Sequence, residues 1–198
     1  MRVAAVQLTS TQEVSRNLEV TERLIRRAAS VGASFVALPE NFVYFKVEGE
    51  IAAFRTAVDG EVVARMGEVA RELSITLLLG SIPEAIPGSA KTYNTSVLVG
   101  PEGQTLAVYR KINLFDVDVP GVAELKESDA VEAGSEVVTA KTPVGVVGLS
   151  VCYDLRFPEL YRRLVEAGAE ILTVPSAFLP HTGKDHWETL LRARAIEN

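Results

Sequence analysis

The run from Val144 to Cys152, Val-Gly-Val-Val-Gly-Leu-Ser-Val-Cys, is apolar almost throughout and ends on the chain's only cysteine. Tyr153-Asp154-Leu155-Arg156-Phe157-Pro158-Glu159 follows at once. A short continuous apolar run fits a buried strand, and a proline fits the first turn of a helix. The chain must therefore pass from strand to sharp turn to helix within a few residues, with a thiol at the strand's carboxyl end. A nearby helix N-terminus carries partial positive charge, which favours a thiolate. An inert core cysteine has the same local signature, because free cysteine is among the most buried residue types. The local pattern alone leaves both readings open.

The rest of the chain repeats the alternation. Residues 2–9 read as a buried strand, and Ser10-Thr11-Gln12-Glu13 has the form of a capping box with Ser10 as N-cap. Val14, Leu18, Ile25 and Ala28 then recur at helical spacing until Gly32. Phe35–Leu38 reads as a second strand, ending at Pro39-Glu40. A helix from near Asp59 places Val62, Met66, Val69 and Leu73 on one face, and Ile75–Ile82 is a third apolar run. Tyr93–Val99 and Thr105–Arg110 flank Gly100-Pro101-Glu102-Gly103, a hairpin signal. Asn113–Ser135 is polar with weak periodicity and reads as a long loop of the kind that is functional or mobile. Strand-like runs flank Thr142-Pro143, Pro158–Ala167 is helical up to Gly168, and Glu170–Val174 is a strand. Asp185–Ile196 is an amphipathic helix carrying Trp187, Leu190, Leu191 and Ala195. Alternating helices and strands with hairpins predict a layered α/β protein with a mixed sheet. At 198 residues, a single domain over 1–198 is expected, with no repeat, low-complexity tract or linker.

Composition removes several function classes. A net charge of −6 repels phosphate backbones, so no nucleic-acid partner is expected. One cysteine cannot form an internal disulfide, which fits a cytoplasmic setting. The first residues lack the basic and apolar regions of a signal peptide, and no uncharged stretch reaches the length of a membrane span. There is no glycine-rich phosphate loop, paired-cysteine zinc spacing or histidine metal motif, so neither a metal nor a cofactor is expected.

Two further residues could act with Cys152. Glu40 ends a buried strand, where desolvation raises a carboxyl pKa toward that of a general base near neutrality. A strand-end charge reaching solvent is the plain alternative. Lys111 ends the second hairpin strand, where lysines are commonly solvated edge charges. Held in place, its cation would stabilise an oxyanion and a neighbouring thiolate. Three strand ends thus offer a base, a cation and a thiol at the edge where α/β sheets gather ligands. His181 and His186 do not stack on one helix face, and His186 beside Trp187 reads as a structural hydrogen-bonding residue.

Ala37-Leu38-Pro39-Glu40-Asn41, Tyr109-Arg110-Lys111-Ile112 and Gly148-Leu149-Ser150-Val151-Cys152-Tyr153-Asp154-Leu155-Arg156-Phe157-Pro158-Glu159-Leu160 together resemble the nitrilase superfamily of carbon–nitrogen hydrolases. Leu114–Gly121, Leu125–Ser128 and Thr182–Glu188 running into Leu191–Glu197 are similar to its Nit-type amidase branch, nearer to deaminated-glutathione amidases than to ω-amidases. The resemblance implies a four-layer αββα sandwich, here without the C-terminal strands and tail of that fold. It implies Glu40, Lys111 and Cys152 as catalytic residues, joined by Glu127, which would position the substrate or the catalytic groups. It further implies a small-molecule amide substrate, a thioester route, no cofactor and a homodimer, with the Trp187–Ile196 helix near the interface. Tyr153, Arg156, Asn41 and Phe42 are the expected substrate-binding residues. Arg156 would hold a substrate carboxylate or pair with Asp154 or Glu159 to brace the turn, with the brace favoured. Nitrile or N-carbamoyl hydrolysis on the same triad, and an inactive fragment acting only through interaction, remain alternatives.

Overall fold

The computed structural model describes residues 1–46, 53–119 and 123–198. A mixed sheet runs in the order β1 (Val3–Ala5), β2 (Phe35–Ala37), β3 (Thr76–Ala85), β4 (Thr92–Val99) and β5 (Thr105–Arg110). The first three strands are parallel and the last three antiparallel. Two elements sit off this sheet's main path: a separate hairpin of β6 (Asp116–Val119) and β7 (Ala123–Lys126), and β8 (Val131–Glu132), which pairs with β4. A second sheet orders β11 (Ile171–Thr173), β10 (Gly145–Leu149) and β9 (Thr139–Thr142). Helices α1 (Val14–Ser30) and α2 (Glu61–Leu73) cover the first sheet. Helices α3 (Pro158–Glu166) and α4 (Pro180–Glu197) lie against the second.

Three apolar clusters mark the interfaces between these layers, and strand alternation assigns residues to them. Val36, Leu77, Leu79, Val97 and Val99 point toward the helical layer, with Ile25, Met66 and Val69 opposite them. Their sequence neighbours Phe35, Leu78 and Leu98 point the other way and meet Val147 and Leu149 of the second sheet. Leu160, Tyr161 and Leu164 of α3 fill the third interface. The order is helix, sheet, sheet, helix, the expected αββα sandwich. Each wholly buried leucine contributes about 1.5–3 kcal/mol by leaving water.

Several local expectations are corrected. Ser10 is not an N-cap: α1 begins at Val14, and Ser10 Oγ instead donates to the Phe42 carbonyl at 3.1 Å. That bond ties the segment before α1 to the segment after Glu40. The strand expected over residues 2–9 is reduced to three residues in β1. The supposed long loop Asn113–Ser135 contains β6, β7, a 3-10 turn over Glu127–Asp129 and β8. Alternation there was hidden because a free hairpin need not carry an apolar face. Pro120 and Gly121 lie outside the described residues. Helix α4 buries only Arg194, its apolar residues Trp187, Leu190 and Leu191 being partly covered.

One glycine decides how the chain leaves β2. A Cβ on Gly80 would stand 2.0 Å from the Leu38 carbonyl oxygen and 2.3 Å from that of Pro39. The β3–β4 register shifts between Leu79 and Ile82, so the bulge and the missing side chain together let Pro39-Glu40 cross over β3. Backbone atoms cannot yield as a flexible side chain does. Gly80→Ala is expected to destabilise the fold by about 1–3 kcal/mol, read as a lowered midpoint in thermal unfolding. An unchanged midpoint would contradict this account of the crossing.

Candidate active site

Glu40 sits three residues beyond β2, on the segment that crosses Gly80, and is 6% exposed. The next residue, Asn41, has φ 55°, in the left-handed region, and its N–H donates to Ser81 Oγ at 2.9 Å. Lys111 follows β5 directly and is 2% exposed. Its backbone N–H donates to the Asn94 carbonyl, and its own carbonyl accepts from Gly134 N–H, both at 2.9 Å. The side chain is thereby aimed inward rather than off a sheet edge. Glu127 opens the 3-10 turn after β7, and its Oε2 accepts Phe115 N–H at 2.6 Å.

These side chains converge. Lys111 Nζ donates to Glu40 Oε1 at 3.3 Å and to the two Glu127 oxygens at 3.1 and 2.8 Å. Asn94 Nδ2 donates to Glu40 Oε1 at 2.9 Å and to Glu127 Oε1 at 3.3 Å. Glu40 Oε2 accepts Ala177 N–H at 2.8 Å. The Cys152 thiol lies close enough to Glu40 for each group to shift the other's pKa. The groups come from both sheets, since β2 and β5 belong to the first and β10 to the second.

Cys152 is 9% exposed and begins a 3-10 helix over Cys152–Arg156. Its φ of 50° is left-handed, which costs a residue with a Cβ roughly 1–2 kcal/mol. The turn is held by bonds that outweigh this. Cys152 N–H donates to the Pro175 carbonyl at 2.9 Å. Asp154 takes four hydrogen bonds: from Val151 N–H at 2.8 Å, Tyr109 OH at 2.7 Å, Asn113 N–H at 2.9 Å and Asn113 Nδ2 at 2.8 Å. Tyr109 and Asn113 flank Lys111 in sequence, so Asp154 fastens the cysteine turn to the lysine strand. From behind, Arg194 of α4 donates twice to the Leu155 carbonyl, at 3.1 and 2.9 Å.

The electrostatics sort the protons. Burial alone would raise the Glu40 pKa. The Lys111 cation, with hydrogen bonds from Cys152, Asn94 and Ala177 N–H, overcomes this and holds it below its ordinary value. Burial would also lower the pKa of Lys111, but Glu40, Cys152 and Glu127 push it up and keep the ammonium charged. Cys152 is driven well above the usual thiol value by burial first and Glu40 second, against the opposing pull of Lys111. The resting arrangement is an ionised glutamate beside a neutral thiol. The expected thiolate bias from a helix N-terminus is thus outweighed, and Glu40 is lowered rather than raised.

The remaining expected residues divide. Tyr153 stacks edge-on with Phe115 and Phe157, centroids 4.9 and 5.6 Å apart, at the side of the cysteine turn. Arg156 pairs with neither Asp154 nor Glu159: its guanidinium lies 5.5 Å from the Tyr153 and Phe178 ring centroids, and Nη1 is 3.2 Å from His186 Nδ1. Asp154 is already saturated by other donors, which removes the brace reading. His186 is a hydrogen-bonding neighbour of Arg156 rather than a partner of Cys152. Phe42 is corrected: it is 0% exposed in the helix-facing cluster and offers no surface to a ligand. Asn41 is half-buried beside Glu40.

Sequence reasoning missed Asn94, Ala177 N–H and the structural use of Asp154. Asn94 lies on β4 with the parity of Leu98, which faces the second sheet. A polar side chain on that inward parity is a signal that could have found it. Its Oδ1 is buried without a protein donor, an arrangement that costs about 1–3 kcal/mol. A cavity of about 1050 Å³ lies elsewhere, between β1 and β11, with Phe35, Leu78, Leu172 and Trp187 among its walls. It borders the site through Leu38, Pro39 and the Pro175–Phe178 segment, and its walls Phe35 and Leu78 belong to the apolar cluster that includes Cys152. Among the described residues, no cluster of three or more His, Cys, Asp or Glu side chains is arranged to hold a metal, and no helix is long and apolar enough to cross a membrane.

Comparison with known proteins identifies the family. The carbon-nitrogen hydrolase family profile matches residues 2–198. A deaminated glutathione amidase of Synechocystis sp. is 46% identical over 198 residues, covering 98% of this chain and 73% of that protein. An omega-amidase of Homo sapiens is 42% identical over 197 residues, covering 100% of this chain and 71% of that protein. The crystal structure of the C. elegans NitFhit protein superimposes with a TM-score of 0.89 at 39% identity, over 98% of this chain and 48% of that one. The chain therefore belongs to the carbon–nitrogen hydrolase family of enzymes, within the nitrilase superfamily.

Proposed function

We propose that the protein hydrolyses the amide C–N bond of a small linear carboxamide through a cysteine thioester, releasing ammonia from a primary amide or the amine from a substituted one. The observation that carries the proposal is the buried Lys111–Glu40 ion pair at 3.3 Å gathered with the Cys152 turn, in which Glu40 is held below its ordinary pKa and the thiol above its own. Glu40 takes the thiol proton as sulfur attacks the amide carbon, forming a C–S bond and a tetrahedral oxyanion. Lys111 Nζ and the Tyr153 N–H, in the first turn of the 3-10 helix, hold that oxyanion. Glu40 passes the proton to nitrogen, the C–N bond breaks and the ammonia or amine leaves. Glu40 then takes a proton from water, hydroxide attacks the thioester, and the sulfur leaves as the thiol by recovering that proton. Glu127 holds the Lys111 ammonium from the far side, at 2.8 Å. Without it the lysine would have one carboxylate partner fewer and more freedom to turn away.

The two amidase relatives support a substrate of the deaminated-glutathione type or an α-keto-acid ω-amide. Both carry a carboxylate besides the amide. Arg156 suits that second group: among the described residues it makes no ion pair, and two aromatic rings and His186 flank its guanidinium. A homodimer in the cytoplasm belongs to the same reading. Ile196 on α4 is 84% exposed and available to a second copy, and the single cysteine suits a reducing compartment.

Three outcomes test this. In a panel of deaminated glutathione, α-ketoglutaramate, an N-carbamoyl amino acid and a simple nitrile, read as newly freed amine for the first and as ammonia for the others, the first two should turn over. Cys152→Ala should lower the rate at least about 1,000-fold without unfolding. Equal rates for both proteins, or turnover of the nitrile alone, would overturn the proposal, and inactivity of the folded wild type would favour the non-catalytic alternative. Arg156→Leu should raise KM about 10- to 100-fold for carboxylate-bearing amides and leave that for butyramide unchanged. A uniform effect on both would remove Arg156 from substrate binding. Protonated Glu40 cannot accept the thiol proton, and its pKa is lowered in the fold. Activity should therefore persist as pH falls from neutrality to about 4.3, the ordinary glutamate value, and be lost only below it. An acid limb of kcat/KM between about pH 5.5 and 7 would contradict the assignment of Glu40 as base.

A further inference from the structure

Asn94 has an unusual set of partners for a strand residue. Its Nδ2 carries two hydrogens and lies within reach of two carboxylate oxygens, Glu40 Oε1 and Glu127 Oε1. Carboxylate oxygens only accept, so the amide orientation is dictated by its neighbours. The cost of this choice is visible in Oδ1, which is buried and has no donor from the protein. A side chain there only to fill space would more readily be apolar.

The consequence falls on Glu40. An ionised carboxylate oxygen has two in-plane acceptor positions. On Oε1 both are taken, one by Asn94 and one by Lys111. On Oε2 one is taken, by Ala177 N–H. Ala177 N–H, the donor to Oε2, also favours the ionised form of Cys152, which puts that end of the carboxylate on the side of the cysteine turn.

We propose that Asn94 is a positioning residue for the reaction, which ties Glu40 to Glu127 and, by occupying Oε1, leaves Oε2 as the oxygen that receives the thiol proton. This rests on the assignment of Glu40 as base given above. The groups facing Glu40 are Lys111 from β5, Asn94 from β4, Ala177 N–H from the segment after β11, and Cys152 from the 3-10 turn; Glu127 faces it across the lysine.

Asn94→Asp tests the idea because it preserves shape while exchanging two donors for a carboxylate. Three carboxylates would then surround one lysine, and a like charge favours the protonated form of Glu40. Protonated Glu40 cannot act as base, so the acid limb of kcat/KM should move upward by about one pH unit or more. In the same variant, kcat should fall about 10- to 100-fold with KM little changed. Asn94→Ala, which adds no charge, should lower kcat and move the limb less. A purely structural role would lower the melting point and the amount of active enzyme, but leave the limb in place. Folded variants with an unmoved limb, or a loss confined to KM, would overturn the inference, as would failure of both variants to fold. Glu40→Gln separates this from the wider reading. Retained activity there removes Glu40 as base altogether. An inactive Glu40→Gln with wild-type pH behaviour in both Asn94 variants removes only the role given to Asn94.

Discussion

A lysine ammonium held out of water between two glutamates is the interaction on which the rest of this structure depends. Lys111 is 2% exposed, and moving such a charge into a protein interior costs several kcal/mol even after relaxation. Glu40 and Glu127 offset that cost, and Asn94 and Ala177 N–H take up carboxylate positions the lysine leaves open. Every member constrains another. The carboxylates keep the lysine charged, and the lysine keeps Glu40 ionised despite burial. A thiol with a raised pKa then stands beside a carboxylate with a lowered one, a pairing that neither residue would adopt alone.

The cluster also explains why the sandwich closes where it does. Its charged groups come from the end of β2, the end of β5 and the turn after β7, while the thiol comes from the second sheet. Asp154 bridges the remaining gap, with four donors converging on one buried carboxylate from both sides. That anchoring holds Cys152 in a left-handed conformation it would not otherwise keep. Strain at Cys152 and saturation of Asp154 beside it are two aspects of one arrangement, in which the polar groups are held in place by the fold itself.

Much of this was legible in the chain. The apolar run into Cys152 and the proline after it do mark strand, turn and helix, and the apolar runs Phe35–Leu38 and Ile75–Ile82 do become β2 and the first part of β3. Where reading failed, a long-range partner had overridden a local cue. Ser10 looks like a helix cap but is claimed by the Phe42 carbonyl. Arg156 was expected to find an acid in its own turn, but Asp154 was already taken by Tyr109 and Asn113. Phe42 follows the base in sequence yet turns into the helical layer, because Asn41 adopts a left-handed backbone between them. Asn94 drew no attention because its partners are 54 and 33 residues away.

The amino-acid sequence by itself determined the kind of protein this is: alternating elements, a thiol at a strand end, and a base and a cation at two others. These follow from short-range patterns of apolar spacing, proline and glycine. Tertiary structure alone decided the protonation state of the thiol and the depressed pKa of Glu40. It also decided the hydrogen bonds of Asn94 and the placing of Arg156 between two rings and His186. Those properties depend on desolvation and on charges a few ångströms away in space, and residues distant in the chain supply both.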